Sequence, residues 1–454
     1  MGLGRGRNRA AGRLRADRAT GDRLSAGQRA GALLPPGAPL AFHLLAKPTG
    51  AICNLDCEYC FFLSKESLYP GSDFRMTDDV LAEYLRQLLA AQPRAPEVTV
   101  AWQGGEPTLM GLDFFRRAVA LAEQVRRPGQ RIVHTIQTNG TLLDDDWAGF
   151  FAEHGFLVGL SIDGPRALHD AYRVDKGGKP TFDRVLRGLA ALRAHGVDWN
   201  ALTTVHAASA DHGREVYRFL RDDCGARYIQ FIPIVERQAG PVPVTGRSVT
   251  PHGYGRFLID VFEDWVRSDV GEVYVQMFDV TLANFYGEPP GLCVHSETCG
   301  LALALEHTGD LYSCDHFVDQ AHLLGNIRER SIADLVGSPE QVSFGLAKRD
   351  TLPDYCRRCD VRFACHGGCP KDRFTVTPDG EAGLHYLCPS YQAFFRHVRP
   401  AMAEMCDLLR AGRPPAAIRD SYARSDARRG RNDLCGCGSG RKWKRCHGIE
   451  TAGG

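Results

Sequence analysis

The chain has 454 residues, 44% of them apolar and 24% charged, with a formal net charge of +1. That length allows two or three domains and a large buried core. The near-neutral balance gives no global field for nucleic acid or a membrane surface, and no apolar run reaches the roughly eighteen residues that span a bilayer. Residues 1–40 are rich in Arg, Gly and Ala and lack the apolar stretch of a signal peptide. They read as a disordered basic tail or as the product of a start codon set too early, with an RNA- or partner-binding arm as the alternative. Without an export signal the chain is expected in the cytoplasm, where its sixteen cysteines are better metal ligands than disulfide partners.

From residue 41 to 234 the apolar pattern alternates between short and long periods. Strand-like runs occur at 41–47, 98–103, 131–138, 157–162, 200–206 and 228–234. Between them, Leu81, Leu85, Leu88 and Leu89 share one helical face within 78–92. Phe182, Val185, Leu186, Leu189 and Leu192 do the same within 181–195. Thr77 and Asp78 mark the start of the first helix. Strands alternating with helices predict a parallel α/β sheet, curved or barrel-like, with its chemistry in the loops after the strands. Residues 293–388 have short strands and many Cys, Gly and Pro, and are expected to be held by metal more than by an apolar core. Residues 401–430 read as a helix running into a polar, Arg-rich linker, followed by a miniature module at the C-terminus.

The cysteines fall in three zones. Cys53, Cys57 and Cys60 form C-x3-C-x2-C directly after the first strand. A [4Fe–4S] cube has four irons, each wanting one thiolate, so three cysteines would leave one iron open to a ligand. Taken alone, the trio could also be an incomplete zinc site. Cys293, Cys299, Cys314, Cys356, Cys359, Cys365, Cys369 and Cys388 are eight thiols, enough for two fully ligated cubes, with a zinc ribbon as the alternative for C-x2-C. Cys435, Cys437, Cys446 and His447 form C-x-C-x8-C-H, four zinc-suitable ligands in a segment that can hardly fold without metal. Arg441, Lys442, Lys444 and Arg445 surround Trp443 with a basic surface, suited to an acidic protein partner or nucleic acid, or merely solvated. Cys224 and Cys406 remain and read as buried free thiols.

C-x3-C-x2-C with Tyr59 before the third cysteine, followed by "QGGEP" (103–107), "TNGT" (138–141) and "SIDGP" (161–165), resembles the radical S-adenosylmethionine (SAM) family. The resemblance implies a partial (β/α)6 barrel in which the amino and carboxylate groups of SAM chelate the open iron. It implies SAM contacts at Gln103, Gly104, Gly105, Glu106, Ser161 and Arg173, the glycines admitting backbone carbonyls to the methionyl ammonium and Arg173 suiting the carboxylate. Tyr59 and Phe62 would pack around the cluster or the adenine, or simply in the core. The second zone resembles the SPASM domain, a small irregular α+β fold with two auxiliary [4Fe–4S] clusters. By that resemblance Cys293, Cys299, Cys314 and Cys369 hold one, and Cys356, Cys359, Cys365 and Cys388 the other. The C-terminal segment resembles the SEC-C motif, with Zn2+ and with His as fourth ligand. The implied domains are a tail (1–40), a radical SAM core (41–270), a SPASM domain (271–400), a helix and linker (401–430) and the SEC-C motif (431–450).

Over about residues 41 to 400 the match narrows further. "FHLLAKPTGAICNLDCEYCFFLSKESLYPG", "VAWQGGEPTLMG", "LSIDGP" and "CDHFV" resemble the anaerobic sulfatase-maturating enzymes. That resemblance implies oxidation of a Cys or Ser of a sulfatase precursor to Cα-formylglycine, after a 5′-deoxyadenosyl radical abstracts a Cβ hydrogen. It gives Asp315 the role of base, with His316 as runner-up, and implies three [4Fe–4S] clusters and a low-potential electron donor of ferredoxin or flavodoxin type. The alternatives are a SPASM-type maturase that crosslinks or epimerises another ribosomally made peptide, and a non-enzymatic multi-zinc scaffold.

Overall fold

Six apolar runs become six neighbouring parallel strands: β1 (His43–Lys47), β2 (Glu97–Trp102), β3 (Arg131–Thr138), β4 (Leu157–Ser161), β5 (Trp199–Val205) and β6 (Tyr228–Pro233). The computed structural model describes residues 41–437 and 439–448, so the predicted basic tail lies outside the described residues. A short β7 (Tyr274–Val275) extends the sheet beyond β6. Helices connect the strands, as parallel pairing requires. The first, Asp78–Ala91, starts where predicted: the Thr77 hydroxyl accepts a hydrogen bond from Val80 N at 3.4 Å. Its Leu81, Leu85, Leu88 and Leu89 are buried with Trp102, Phe114 and Phe115. The second predicted helix forms at Phe182–Ala194. Because the strands run one way, their C-terminal ends share one edge, and the loops there carry Cys53–Cys60, Gln103–Glu106, Thr138–Thr141 and Ser161–Pro165.

The cysteine-rich segment is less independent than its composition suggests. β8 (Ala302–Glu306) pairs in parallel with β1, and β9 (Asp310–Tyr312) and β10 (Leu323–Asn326) follow antiparallel. One ten-stranded sheet therefore runs β10-β9-β8-β1-β2-β3-β4-β5-β6-β7. Leu303, Leu305 and Leu311 join the apolar layer under Asp78–Ala91. Gln87 of that helix pins the segment from the other side, donating to Ile327 O at 2.7 Å and accepting from Ile332 N at 2.6 Å. The stretch read as a polar linker also differs, since Ile418–Ala427 is a helix. Ile418, Tyr422 and Asp426 recur at helical spacing on one face. Ile418 is fully buried, Arg267 lies over the Tyr422 ring, and Arg267 Nε pairs with Asp426 at 3.0 Å. Among the described residues no helix is long and apolar enough to cross a membrane.

Candidate functional site

The cysteine loop after β1 is held by backbone pairing on two sides. Gly105 N and Glu106 N donate to Gly50 O and Ile52 O at 2.8 and 2.9 Å. Asp56 N and Glu58 N donate to Val174 O and Tyr172 O at 2.9 and 3.0 Å. Gly105 permits the first contact: a Cβ there would stand 1.9 Å from Ile52 O. The close approach that this glycine serves is thus to the cysteine loop itself. Within the loop, Cys53 Sγ accepts from Leu55 N at 3.3 Å and Asn139 Nδ2 at 3.6 Å. Burial pushes the Cys53 thiol up to about 12, with Glu106 adding to the effect. Burial likewise carries Cys57 to about 11, against the opposing pull of Arg173. Such thiols become thiolates only with a cation to hold, which suits metal coordination.

Glu106 is fully buried, and its carboxylate is fully used by protein. One oxygen accepts from Thr108 N, Thr108 Oγ1 and Thr138 Oγ1 at 3.0, 2.6 and 2.8 Å, the other from Asn139 N at 2.8 Å. It fastens the loop after β2 to the loop after β3. Gln103 is the reverse case, a buried Oε1 that accepts no hydrogen bond from protein. An acceptor so placed fits a ligand that donates, as an ammonium does. Gly104, at φ +128°, and Ser161, the last residue of β4, lie on the same edge. Arg173 does not point at open space. Its Nε and Nη2 donate to Asp163 at 2.7 and 3.3 Å, and Tyr59 OH donates to the same carboxylate at 2.5 Å. Burial opposes charge on Asp163, yet Arg173 and these hydrogen bonds overcome it and hold the carboxyl at about 2.

Asp315 reaches this edge through Lys47. The Lys47 ammonium, at the end of β1, forms an ion pair with the Asp315 carboxylate and sits 3.9 Å from the centre of the Phe62 ring. Lys47 is 1% exposed and the Asp315 side chain 14%. Burial favours the neutral acid, but Lys47 and His316 outweigh it and set the Asp315 carboxyl below the usual carboxylate range. Burial drops neighbouring His316 to about 4, leaving it neutral beside Phe61. Phe62 packs with Ala51, Ala304, Tyr312 and Val318, joining the cysteine loop to the β8–β9 hairpin that leads to Cys314 and Asp315.

Several of the eight later thiols lie near enough to oppose one another's charge. Charge on Cys314 is opposed by Cys369 and Cys293, and charge on Cys299 by Cys293. Charge on Cys388 is opposed by Cys365, Cys356 and Cys359. Lys348 lies beside Cys293 and Cys299 and donates to the carbonyls of Cys293 and Val294 at 2.6 and 3.0 Å, and to that of Ser296. At the C-terminus the ligand atoms of Cys435, Cys437, Cys446 and His447, all buried, lie within 4.8 Å of one another, a donor set that suits zinc.

Residues 48–220 match the radical SAM superfamily, 298–360 an iron–sulfur cluster-binding domain of SPASM type, and 431–449 the SEC-C motif. A serine-type anaerobic sulfatase-maturating enzyme of Bacteroides thetaiotaomicron is 42% identical over 84% of this chain and 95% of its own length. This chain belongs to the anaerobic sulfatase-maturating enzyme family. A cysteine-type member from Clostridium perfringens is 31% identical over 80% of this chain and 98% of its own length. A solved structure, native anSMEcpe with bound AdoMet and the Cp18Cys peptide, superposes with a TM-score of 0.73 at 31% identity, covering 81% of this chain and 99% of that one. The chain is therefore a radical SAM oxidoreductase of the sulfatase-maturating type, a class that uses [4Fe–4S] clusters and SAM.

Within this sulfatase-maturating fold, three side chains escape sequence reasoning. Lys47 sits in an apolar strand and meets its carboxylate only after the sheet closes onto β8. Asp163 lies inside a recognised motif, but its partners Tyr59 and Arg173 come from separate loops. Gln392 donates weakly to Cys388 Sγ and Cys359 Sγ, at 3.6 and 3.9 Å. Its only advance signal is helical spacing, one turn after Cys388.

Proposed function

We propose that this enzyme oxidises a serine or cysteine of a sulfatase precursor to Cα-formylglycine, with Asp315 as the base. The buried Lys47–Asp315 ion pair, at the end of the strand that leads into Cys53, carries this reading. Cys53, Cys57 and Cys60 would hold a [4Fe–4S] cluster that, with SAM, would supply the radical chemistry needed to take a Cβ hydrogen. The protein's own work is then positional and protonic. Gln103, Gly104, Gly105 and Ser161 line the cofactor's place. Glu106 and Arg173 act from behind it, Glu106 by joining two loops and Arg173 by fixing Asp163 and, through it, Tyr59.

Oxidation of the carbon is easier once the neighbouring hydroxyl or thiol loses its proton. Asp315 accepts that proton, and Lys47 keeps the carboxylate charged beforehand. Cys293, Cys299, Cys314 and Cys369 would hold one auxiliary cluster and Cys356, Cys359, Cys365 and Cys388 a second, an outlet for the remaining electron. A ferredoxin- or flavodoxin-type donor would supply the low-potential electron, and Cys435, Cys437, Cys446 and His447 would hold Zn2+. The higher identity to serine-type relatives, 42% against 31% for the cysteine type, favours serine as the target.

The test is anaerobic incubation with peptides carrying S-x-A-x-R or C-x-P-x-R. Conversion removes about 2 Da from serine or about 18 Da from cysteine, by composition, with the radical chemistry assigned to the cofactor. SAM cleavage with neither mass change would overturn the proposal and shift the substrate to another ribosomally made peptide.

A further inference from the structure

Nothing in the proposed reaction uses the C-terminal module, yet it is docked on the barrel by one of its own candidate ligands. His447 Nδ1 faces the thiols, 3.2 Å from Cys435 Sγ and 3.5 Å from Cys446 Sγ. The other ring nitrogen, Nε2, points away from them and lies 3.3 Å from Asp264 Oδ1. Asp264 belongs to the helix Gly253–Ser268 on the outside of the sheet, and its side chain is 4% exposed. Its Oδ2 accepts from Arg218 Nε at 2.6 Å. Its Oδ1 accepts no hydrogen bond, although Arg214 Nε stands 2.8 Å away as an ion pair. That oxygen has a charge partner but no aligned donor.

We propose that Asp264 is the outer carboxylate of the C-terminal metal site, and that metal binding clasps the module onto the barrel through His447. The inference rests on reading Cys435, Cys437, Cys446 and His447 as metal ligands. With a metal on Nδ1, the neutral ring carries its proton on Nε2. That N–H then faces Asp264 Oδ1, the acceptor lacking a hydrogen bond. Outer carboxylates of this kind fix the ring and strengthen the ligand. In the metal-free ring Nε2 can instead accept from Arg214 Nη2, 3.0 Å away, so metal binding selects which barrel residue the module holds.

The clasp continues inward. Glu263, next to Asp264, accepts from His397 Nε2 at 2.6 Å, and Ser390 Oγ accepts from Gly255 N at 2.8 Å. His397 and Ser390 both lie on the helix Cys388–Arg410, whose first residue, Cys388, is a proposed ligand of the second auxiliary cluster. The module is thus an internal brace, tied by one helix to the element that presents Cys388.

The test uses the full-length reconstituted enzyme and zinc competition with a chromophoric chelator. Asp264→Asn is expected to weaken zinc binding about 10- to 100-fold. His447→Cys keeps four ligands but has no second ring nitrogen, so in that background Asp264→Asn should change affinity by less than about twofold. Zinc removal from the unaltered chain should speed amide exchange in Gly253–Ser268 and Ile418–Ala427, and Asp264→Asn should abolish that difference. Unchanged affinity in Asp264→Asn overturns the clasp. So does an equal loss in both backgrounds, which would mean that the substitution only loosens the fold. A full-length chain that takes up no zinc overturns the metal reading beneath it.

Discussion

Replacing Asp163 by Asn should be among the most damaging single changes that leave every cysteine in place. The carboxylate accepts from Tyr59 OH, Arg173 Nε, Arg173 Nη2 and Thr204 N at 2.5, 2.7, 3.3 and 2.8 Å. Its carboxyl stands at about 2 against an ordinary 3.8, roughly 2.5 kcal/mol in favour of the ionised, folded form. Asparagine keeps the shape but leaves the Arg173 guanidinium buried without its counter-charge, a loss of about 3–5 kcal/mol. Because the folded-state value is lowered, this stabilisation is complete above the unfolded-state value near 4 and disappears as pH falls from there to about 2. Urea midpoints of the reconstituted enzyme at neutral pH should therefore be lower for Asp163→Asn than for the unaltered chain, by the equivalent of about 3–5 kcal/mol. Iron retention should fall as well, since Tyr59 sits between Cys57 and Cys60. The double change Asp163→Leu with Arg173→Met removes both charges and should be milder than Asp163→Asn alone. A loss under about 1 kcal/mol in the single variant, or a double variant worse than the single, would mean that Asp163 does not hold a buried Arg173 charge in place.

Lys47→Met removes the cation that holds Asp315 ionised, so the acid limb of peptide oxidation should move to higher pH while SAM cleavage without peptide persists. An unmoved limb would count against Asp315 as base. Gly105→Ala drives a Cβ into the Ile52 carbonyl, and should cost the enzyme about four irons per chain together with SAM cleavage. Full iron content would show that the loop can yield. Lys348→Met deletes a buried cation beside Cys293 and Cys299 and should lower the potential of one auxiliary cluster by about 60 mV, a tenfold bias for a one-electron couple. An unchanged redox titration followed by electron paramagnetic resonance would contradict that role.

The parallel core was legible because its strands are short, apolar-rich runs that alternate with segments of helical period, and because Thr77 supplies a helix cap with a mechanism. The metal-ligand candidates were legible because short cysteine spacing is a local signal. The supporting residues were not, since their partners are distant in sequence. Lys47 reads as a stray charge until β8 lies beside β1, and Gln87 reads as a surface residue until Ile327 and Ile332 cover it. Ile418–Ala427 was hidden by its arginines, because the residues that meet the protein, among them Ile418, Arg419, Ser421, Tyr422 and Asp426, form no apolar stripe.

The pairing of β8 with β1 runs through five residue pairs, from His43–Ala302 to Lys47–Glu306. The loop of Cys53 and the hairpin preceding Asp315 therefore grow from neighbouring rungs of one ladder, so the proposed cluster loop and the proposed base move as one piece. A polypeptide substrate must thread in past side chains and turns, because opening this enzyme like a book would tear the sheet.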